Sequence, residues 1–151
     1  MADSARLVDL KEEPDFLEQY VDMRNQYREF LLAEPVDLAE TKVWVQREEV
    51  EIRGLARGRT LLGAAVLYLG KGGEIAFLAR HPNEGIGSKL LEVIESVARD
   101  RKLSEVWAWV LSDNAVAGRV FMKNGYQLDA ESVRTHHHKA RNGIIFRKKV
   151  R

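Results

Sequence analysis

The chain has 151 residues, 45% hydrophobic and 31% charged, with 24 basic against 23 acidic side chains and no cysteine. That length fits one domain, which buries about 70% of its unfolded surface and needs no disulfide or metal to hold it together. Thiolate-rich zinc sites, iron–sulfur clusters and cysteine nucleophiles are excluded, and a net charge of +1 gives no global reason to expect nucleic acid as a partner.

Arg6–Leu10 reads as a short strand. Pro14 opens a helical stretch carrying Phe16, Leu17, Tyr20, Val21 and Met23 on roughly one face. Glu34-Pro35 interrupts it, and Asp37 with Glu40 three residues on forms a capping-box pattern for a second helix to about Glu48. The period then changes to alternation. Val50, Ile52 and Leu55 suggest a strand, and Arg57-Gly58-Arg59 a turn. Leu61–Leu69 suggests a buried strand, Lys71-Gly72-Gly73 a tight hairpin and Glu74–Ala79 a third strand.

Ile86, Leu90, Leu91, Ile94, Val97 and Ala98 form an apolar stripe at helical spacing. Val106–Leu111 is a strand with Trp107 and Trp109 on one face. Asp113 or Asn114 caps a helix to about Lys123, Gly125 ends it, and Tyr126–Leu128 and Ile144–Phe146 are the last strands. The expected fold is α/β (α+β): a mixed, mostly antiparallel sheet of about 6–7 strands with helices on both faces.

The longest apolar stretch, Leu61–Leu69, is far short of the roughly 20 residues a spanning helix needs. No signal-peptide pattern is seen, so a soluble cytoplasmic protein with no membrane partner is expected. Charge is unevenly spread. Residues 1–51 hold 14 acids and 6 bases, whereas residues 134–151 hold seven Lys/Arg, three His and no acid. That polarity would suit an anionic ligand near the C-terminal part, but the basic end reads as a solvated tail strand. Trp107 and Trp109 form no nucleic-acid stacking set, since no basic stripe accompanies them.

The most informative stretch is Glu74–Leu91. A strand runs through Pro82-Asn83-Glu84-Gly85-Ile86-Gly87 into the long helix. A helix N-terminus offers unpaired N–H groups and a positive dipole end, and glycines let phosphates approach that backbone. No Walker A pattern is present, and the dinucleotide fingerprint fails at Leu90. About 27 residues downstream stands Asn114-x-x-Ala117-x-x-x-Phe121-x-x-x-Gly125-Tyr126.

Together the two segments resemble the GNAT superfamily of acyl-CoA N-acyltransferases, in which Q/R-x-x-G-x-G/A opens a helix and N-x-x-A-x-x-x-Y-x-x-x-G-F/Y follows. The order of elements is similar over the whole chain, so the resemblance implies one N-acetyltransferase-like domain over residues 1–151. It also implies acetyl-CoA as co-substrate, no metal, and a small-molecule or peptide amine as acceptor. By resemblance, Glu84, Gly85, Ile86, Gly87 and Ser88 hold the pyrophosphate. Leu78 and Ala79 pair with the pantetheine arm, and Asn114 contacts it. Phe121 stands in the cofactor motif where many members carry the tyrosine general acid, and Pro82 replaces its Q/R.

The implied reaction is attack of a neutral amine on the thioester, with backbone N–H groups near Leu78 and Ala79 stabilising the oxyanion. Expelling a thiolate of pKa about 8.5 at pH 7 costs roughly 2 kcal/mol, so a general acid is worth at most about 30-fold. Ser112, Tyr126 or water could substitute for the missing tyrosine. Glu74 is the leading candidate base, with Glu51 second. Arg24 and Asn25 resemble acceptor contacts of members acting on nucleotide-linked amino sugars or protein N-termini, and His136 is a further substrate candidate. His136-His137-His138 is not expected to hold a metal, because adjacent strand residues point to opposite faces. The rival expectation is a non-catalytic acyl-CoA-binding module.

Overall fold

The computed structural model describes residues 5–81 and 85–151. Seven strands form one sheet in the order β1-β2-β3-β4-β5-β7-β6. They are β1 Arg6–Asp9, β2 Val50–Arg57, β3 Thr60–Tyr68, β4 Glu74–Ala79, β5 Glu105–Leu111, β6 Gln127–His136 and β7 Lys139–Lys149. The helices are α1 Leu17–Gln26, α2 Arg28–Leu31, α3 Leu38–Trp44, α4 Ile86–Asp100 and α5 Ala115–Lys123. The expected mixed sheet with helices on both faces is the fold observed.

Strand alternation divides the core in two. One face carries Leu67, Ile75, Val106, Ala108 and Phe146 against α4 and α5. The other carries Ile52, Val66 and Leu78 with α1 residues Leu17, Tyr20 and Met23. The stripe on α4 explains its place: Ile86, Leu90, Leu91 and Ile94 are almost wholly buried, each gaining about 1.5–3 kcal/mol by leaving water. Lys102 ends that helix in a left-handed conformation, with Leu103 N–H returning to Ala98 C=O. Asp37 accepts from Glu40 N–H at 2.7 Å as the predicted cap of α3, although the helix stops at Trp44 rather than Glu48.

The last two strands are much longer than predicted. Their outer residues are polar and mostly exposed, so the apolar alternation that marks a half-buried strand is missing and only Ile144–Phe146 carried the signal. A two-residue turn, His137-His138, joins them with both residues at positive φ.

The feature that shapes the molecule is the seam between β4 and β5. Every other neighbouring pair is antiparallel; this pair is parallel and registers at a single position, Glu74 opposite Trp107. Beyond it the strands diverge and leave a wedge.

Candidate active site

The wedge opens into a cavity of about 510 Å³, lined by Phe77, Leu78 and Ala79 on β4, by Gly85, Gly87 and Ser88 at the start of α4, and by Asn114 at the start of α5. The first intrahelical bond of α4 is Lys89 N–H to Gly85 C=O. The N–H groups of Ile86, Gly87 and Ser88 therefore have no acceptor within the helix. Gly85 caps the helix at φ +78°, where a Cβ would meet nothing, so its glycine serves conformation and leaves the turn open. Gly87 serves packing: a Cβ there would sit 3.0 Å from the Phe77 ring and 3.3 Å from Val120. Ile86 is buried, so only its backbone belongs to the turn. Ser88 Oγ accepts from Asn124 Nδ2 at 2.9 Å. Glu84, like Pro82 and Asn83, lies outside the described residues.

The edge of β4 decides which amides face the wedge. Arg80 N–H donates to Leu62 C=O across β3, and pairing alternates, so Leu78 N–H also turns to β3. Trp107 N–H reaches Gly73 C=O on the other side. The odd-numbered residues, Phe77 and Ala79, thus present their backbone to the wedge. The expectation of Leu78 as an oxyanion donor is corrected by this parity: its side chain lines the cavity, but its amide is bonded within the sheet.

Two further candidates lie elsewhere. Phe121 is buried among Phe77, Tyr126 and Phe146, with ring centroids 4.9–5.5 Å away. It is core beneath the cavity floor rather than a cofactor contact. Tyr126 is buried with its hydroxyl donating to Glu95 at 2.8 Å, and Lys148 bonds the other carboxylate oxygen. Burial first, then the Glu95 charge, push that hydroxyl far above the usual phenol range, which disqualifies it as a proton donor in the wedge. Asn114 uses Oδ1 to cap α5, accepting from Ala117 N–H; its amide nitrogen is the group left to meet a ligand.

Glu74 stands at the apex of the wedge on the face of α1. It is buried and paired with Arg134 at 3.0 Å, with Lys71 at 4.0 Å. Arg134 also lies over the rings of Trp109 and Trp107, so it fastens β6 to the apex. Tyr68, directly across from Glu74, has its hydroxyl raised by burial, with Arg24 opposing and Glu74 adding. Glu51, by contrast, is opposite Leu67 and so lies on the other face of the sheet, held by Arg101 at 2.6 Å and Arg53 at 3.3 Å. It is a structural ion pair.

Arg24 donates to Glu34 C=O at 3.2 Å and lines a second hollow with Tyr20 and Trp44. Asn25 is not available to a substrate, because its carboxamide makes two 2.9 Å bonds to the backbone of Val36. It clamps the segment between α2 and α3. His136 is half-buried at the tip of the β6–β7 hairpin and is not part of the cavity wall.

Sequence reasoning missed Tyr27, Arg119 and Lys123, which line the cavity. Arg119 and Lys123 are four residues apart on α5 and share a helix face; in the sequence they read as ordinary surface charges. Arg80, which follows β4 at the approach to the glycine turn, is bonded to Leu61 C=O and Gln19.

A splayed α/β sheet with a glycine turn and a helix N-terminus at the splay is the architecture of a ligand-binding transferase fold. Residues 8–126 match the profile of the acetyltransferase (GNAT) family, and the chain belongs to that family. No curated protein sequence matches it. Solved structures are similar across nearly the whole chain. Ribosomal-protein-alanine N-acetyltransferase from Brucella melitensis superposes with TM-score 0.80 at 17% identity, covering 95% of this chain and 99% of that one. Spermidine N-acetyltransferase from Vibrio cholerae, in complex with CoA and spermine, gives 0.82 at 12% identity, covering 97% and 96%. A phosphinothricin acetyltransferase from Sinorhizobium meliloti, in complex with acetyl-CoA, gives 0.78 at 13%, covering 97% and 88%. At these identities the likeness establishes the fold. Among the described residues no helix is long and apolar enough to cross a membrane.

Proposed function

We propose that the protein transfers an acetyl group from acetyl-CoA to a primary amine, with the whole chain acting as one catalytic domain. The observation that carries this reading is the divergence of β4 from β5 beyond Glu74 and Trp107, directly beside the amides of Ile86, Gly87 and Ser88, which have no acceptor within α4. An extended pantetheine arm fits along the free edge of β4 and pairs with the backbone of Phe77 and Ala79. The pyrophosphate then meets the amides of Ile86, Gly87 and Ser88, and Arg119 and Lys123 supply positive charge beside it.

The amine enters from the α1 face and attacks the thioester carbonyl, forming the C–N bond and placing negative charge on oxygen. Ala79 N–H is the donor aimed at that charge. Glu74 stands five residues, about 16 Å, from Ala79 along β4, so it takes the amine's proton through a chain of waters rather than directly. Collapse breaks the C–S bond, and the thiolate leaves with a proton from Tyr27 or solvent. A phenol on α5 is not required, given the roughly 30-fold ceiling on what an acid contributes.

One observation favours a second reading, a non-catalytic acyl-CoA binder: Phe121 and Tyr126 are both core residues. Thiol release from acetyl-CoA with a panel of polyamines, amino acids and peptide N-termini separates the two. Turnover with any amine supports the transferase. Tight acetyl-CoA binding without thiol release on the whole panel supports the binder.

A further inference from the structure

The three-histidine run lies outside the chemistry above. Alternation along a strand places His136 and Arg134 on one face and would send His137 to the other. That argument fails at His137, because the residue has left the strand. It takes φ +51° and His138 takes φ +63°, making a turn in which both central residues are left-handed. The His137 ring consequently folds back onto His136, with centroids 4.1 Å apart. His137 Nε2 also lies 3.0 Å from Glu34 Oε1, so a carboxylate from the segment after α2 joins the two imidazoles. The ligand atoms of Glu34, His136 and His137 all lie within 4.8 Å of one another. Around a tetrahedral ion with bonds of about 2.0–2.1 Å, ligand atoms stand roughly 3.3 Å apart. Small side-chain rotations close that difference.

We propose that Glu34, His136 and His137 form a binding site for a divalent transition metal of the zinc class. Two imidazoles and one carboxylate are the donor set such an ion takes, and a water completes four-coordination. The consequence is a clasp. Glu34 belongs to the segment between α2 and α3, whose neighbours Phe30 and Leu31 line the cavity. The two histidines belong to the hairpin that Arg134 fastens to the wedge apex. A bound ion replaces one exposed His–Glu contact with three coordinate bonds and ties the two segments together. The ion takes no part in acyl transfer.

Equilibrium dialysis of the untagged full chain against Zn²⁺ tests the site. One retained equivalent is expected. Outer-shell partners of metal sites are worth about 10–100-fold in affinity, so removing a direct ligand by His137→Ala or Glu34→Gln is expected to weaken binding at least about 10-fold. His138→Ala, in the same turn but outside the cluster, is expected to leave binding unchanged. Thermal melts of each variant check that it is folded. Absence of an equivalent in the parent chain, or equal losses for His138→Ala and His137→Ala, overturns the site. Hydrogen exchange tests the clasp: Zn²⁺ is expected to slow the amides of residues 32–37 in the parent chain but not in His137→Ala. Slowing confined to residues 136–139 overturns the clasp.

Discussion

The two ends of the cleft are built from different materials. At the α4 end the ligand-facing groups are backbone: the amides of Ile86 to Ser88 and the free edge of β4 at Phe77 and Ala79. On the α1 face of the wedge apex stand side chains instead: Glu74, Arg134 and Tyr68, with Arg24 in the neighbouring hollow, linked by an ion pair and by the field each exerts on the next. A backbone site is fixed by the fold and suits a ligand of constant chemistry, such as a coenzyme. A side-chain site can be rewritten without altering the fold, which suits an acceptor that differs between relatives. On the proposed reading, the cofactor half is expected to fail when packing fails, and the acceptor half when a charge is removed.

The largest effect is expected beneath the cofactor half. Phe121 supports Phe77, which forms the wall against Gly87. Phe121→Ala is expected to cost about 3–5 kcal/mol of stability by leaving a cavity, read as a drop in Tm. Acetyl-CoA binding should weaken with it. Intact binding in that variant would mean that the backbone turn is held by something other than this aromatic stack.

On the acceptor half, Glu74→Gln removes a charge and almost no volume. The expected result is a fall in kcat of about 100-fold near neutral pH, the lower range for a lost general base, with the KM for acetyl-CoA unchanged. A parallel rise in that KM would show that the halves are not separable. An unaltered pH–rate profile would remove Glu74 from the role of base and leave it as the anchor of Arg134.

Returning to the cofactor half, Gly87→Ala puts a methyl group 3.0 Å from the Phe77 ring. Overpacking of this kind costs about 1–3 kcal/mol. The KM for acetyl-CoA is expected to rise while kcat at saturation holds. Steady-state kinetics at varied acetyl-CoA make the measurement.

This division also explains what could be read from the sequence. The elements that carry regular apolar spacing, α4 and β2 to β5, were legible because burial imposes the period. So was the glycine turn, since Gly85 is set by backbone conformation and Gly87 by close packing. The orientation of a side chain was not legible. Tyr126 follows the motif by position, yet its hydroxyl meets Glu95, 31 residues away in the chain, whose other carboxylate oxygen accepts from Lys148. Asn25 looked like a substrate contact and is a loop clamp. The hairpin β6–β7 was underestimated for the same reason in reverse: an edge strand facing water carries no hydrophobic signal. Arg134, which links that hairpin to Glu74, could not be found without the register.

The smallest effect separates the two glutamates once considered as bases. Glu51 sits on the opposite face of the sheet from Glu74, so Glu51→Gln is expected to leave kcat and both KM values unchanged. Burial works to raise its carboxyl, but the bonds and charges of Arg101, Arg53 and Lys11 outweigh that and hold it below the usual carboxylate range. A carboxyl lowered in the folded state stabilises the protein above its unfolded pKa, and that stability is lost as pH falls through the folded value. Glu51→Gln should therefore lower stability at neutral pH by about 1 kcal/mol or less, the range for partly exposed pairs. The difference between parent and variant should shrink as the pH is taken down through the carboxylate range. Tm measured against pH for the two proteins makes the test. A gap that persists in acid would mean that Glu51 contributes through packing rather than charge, and a loss of kcat would place it in the chemistry from which the sheet now separates it.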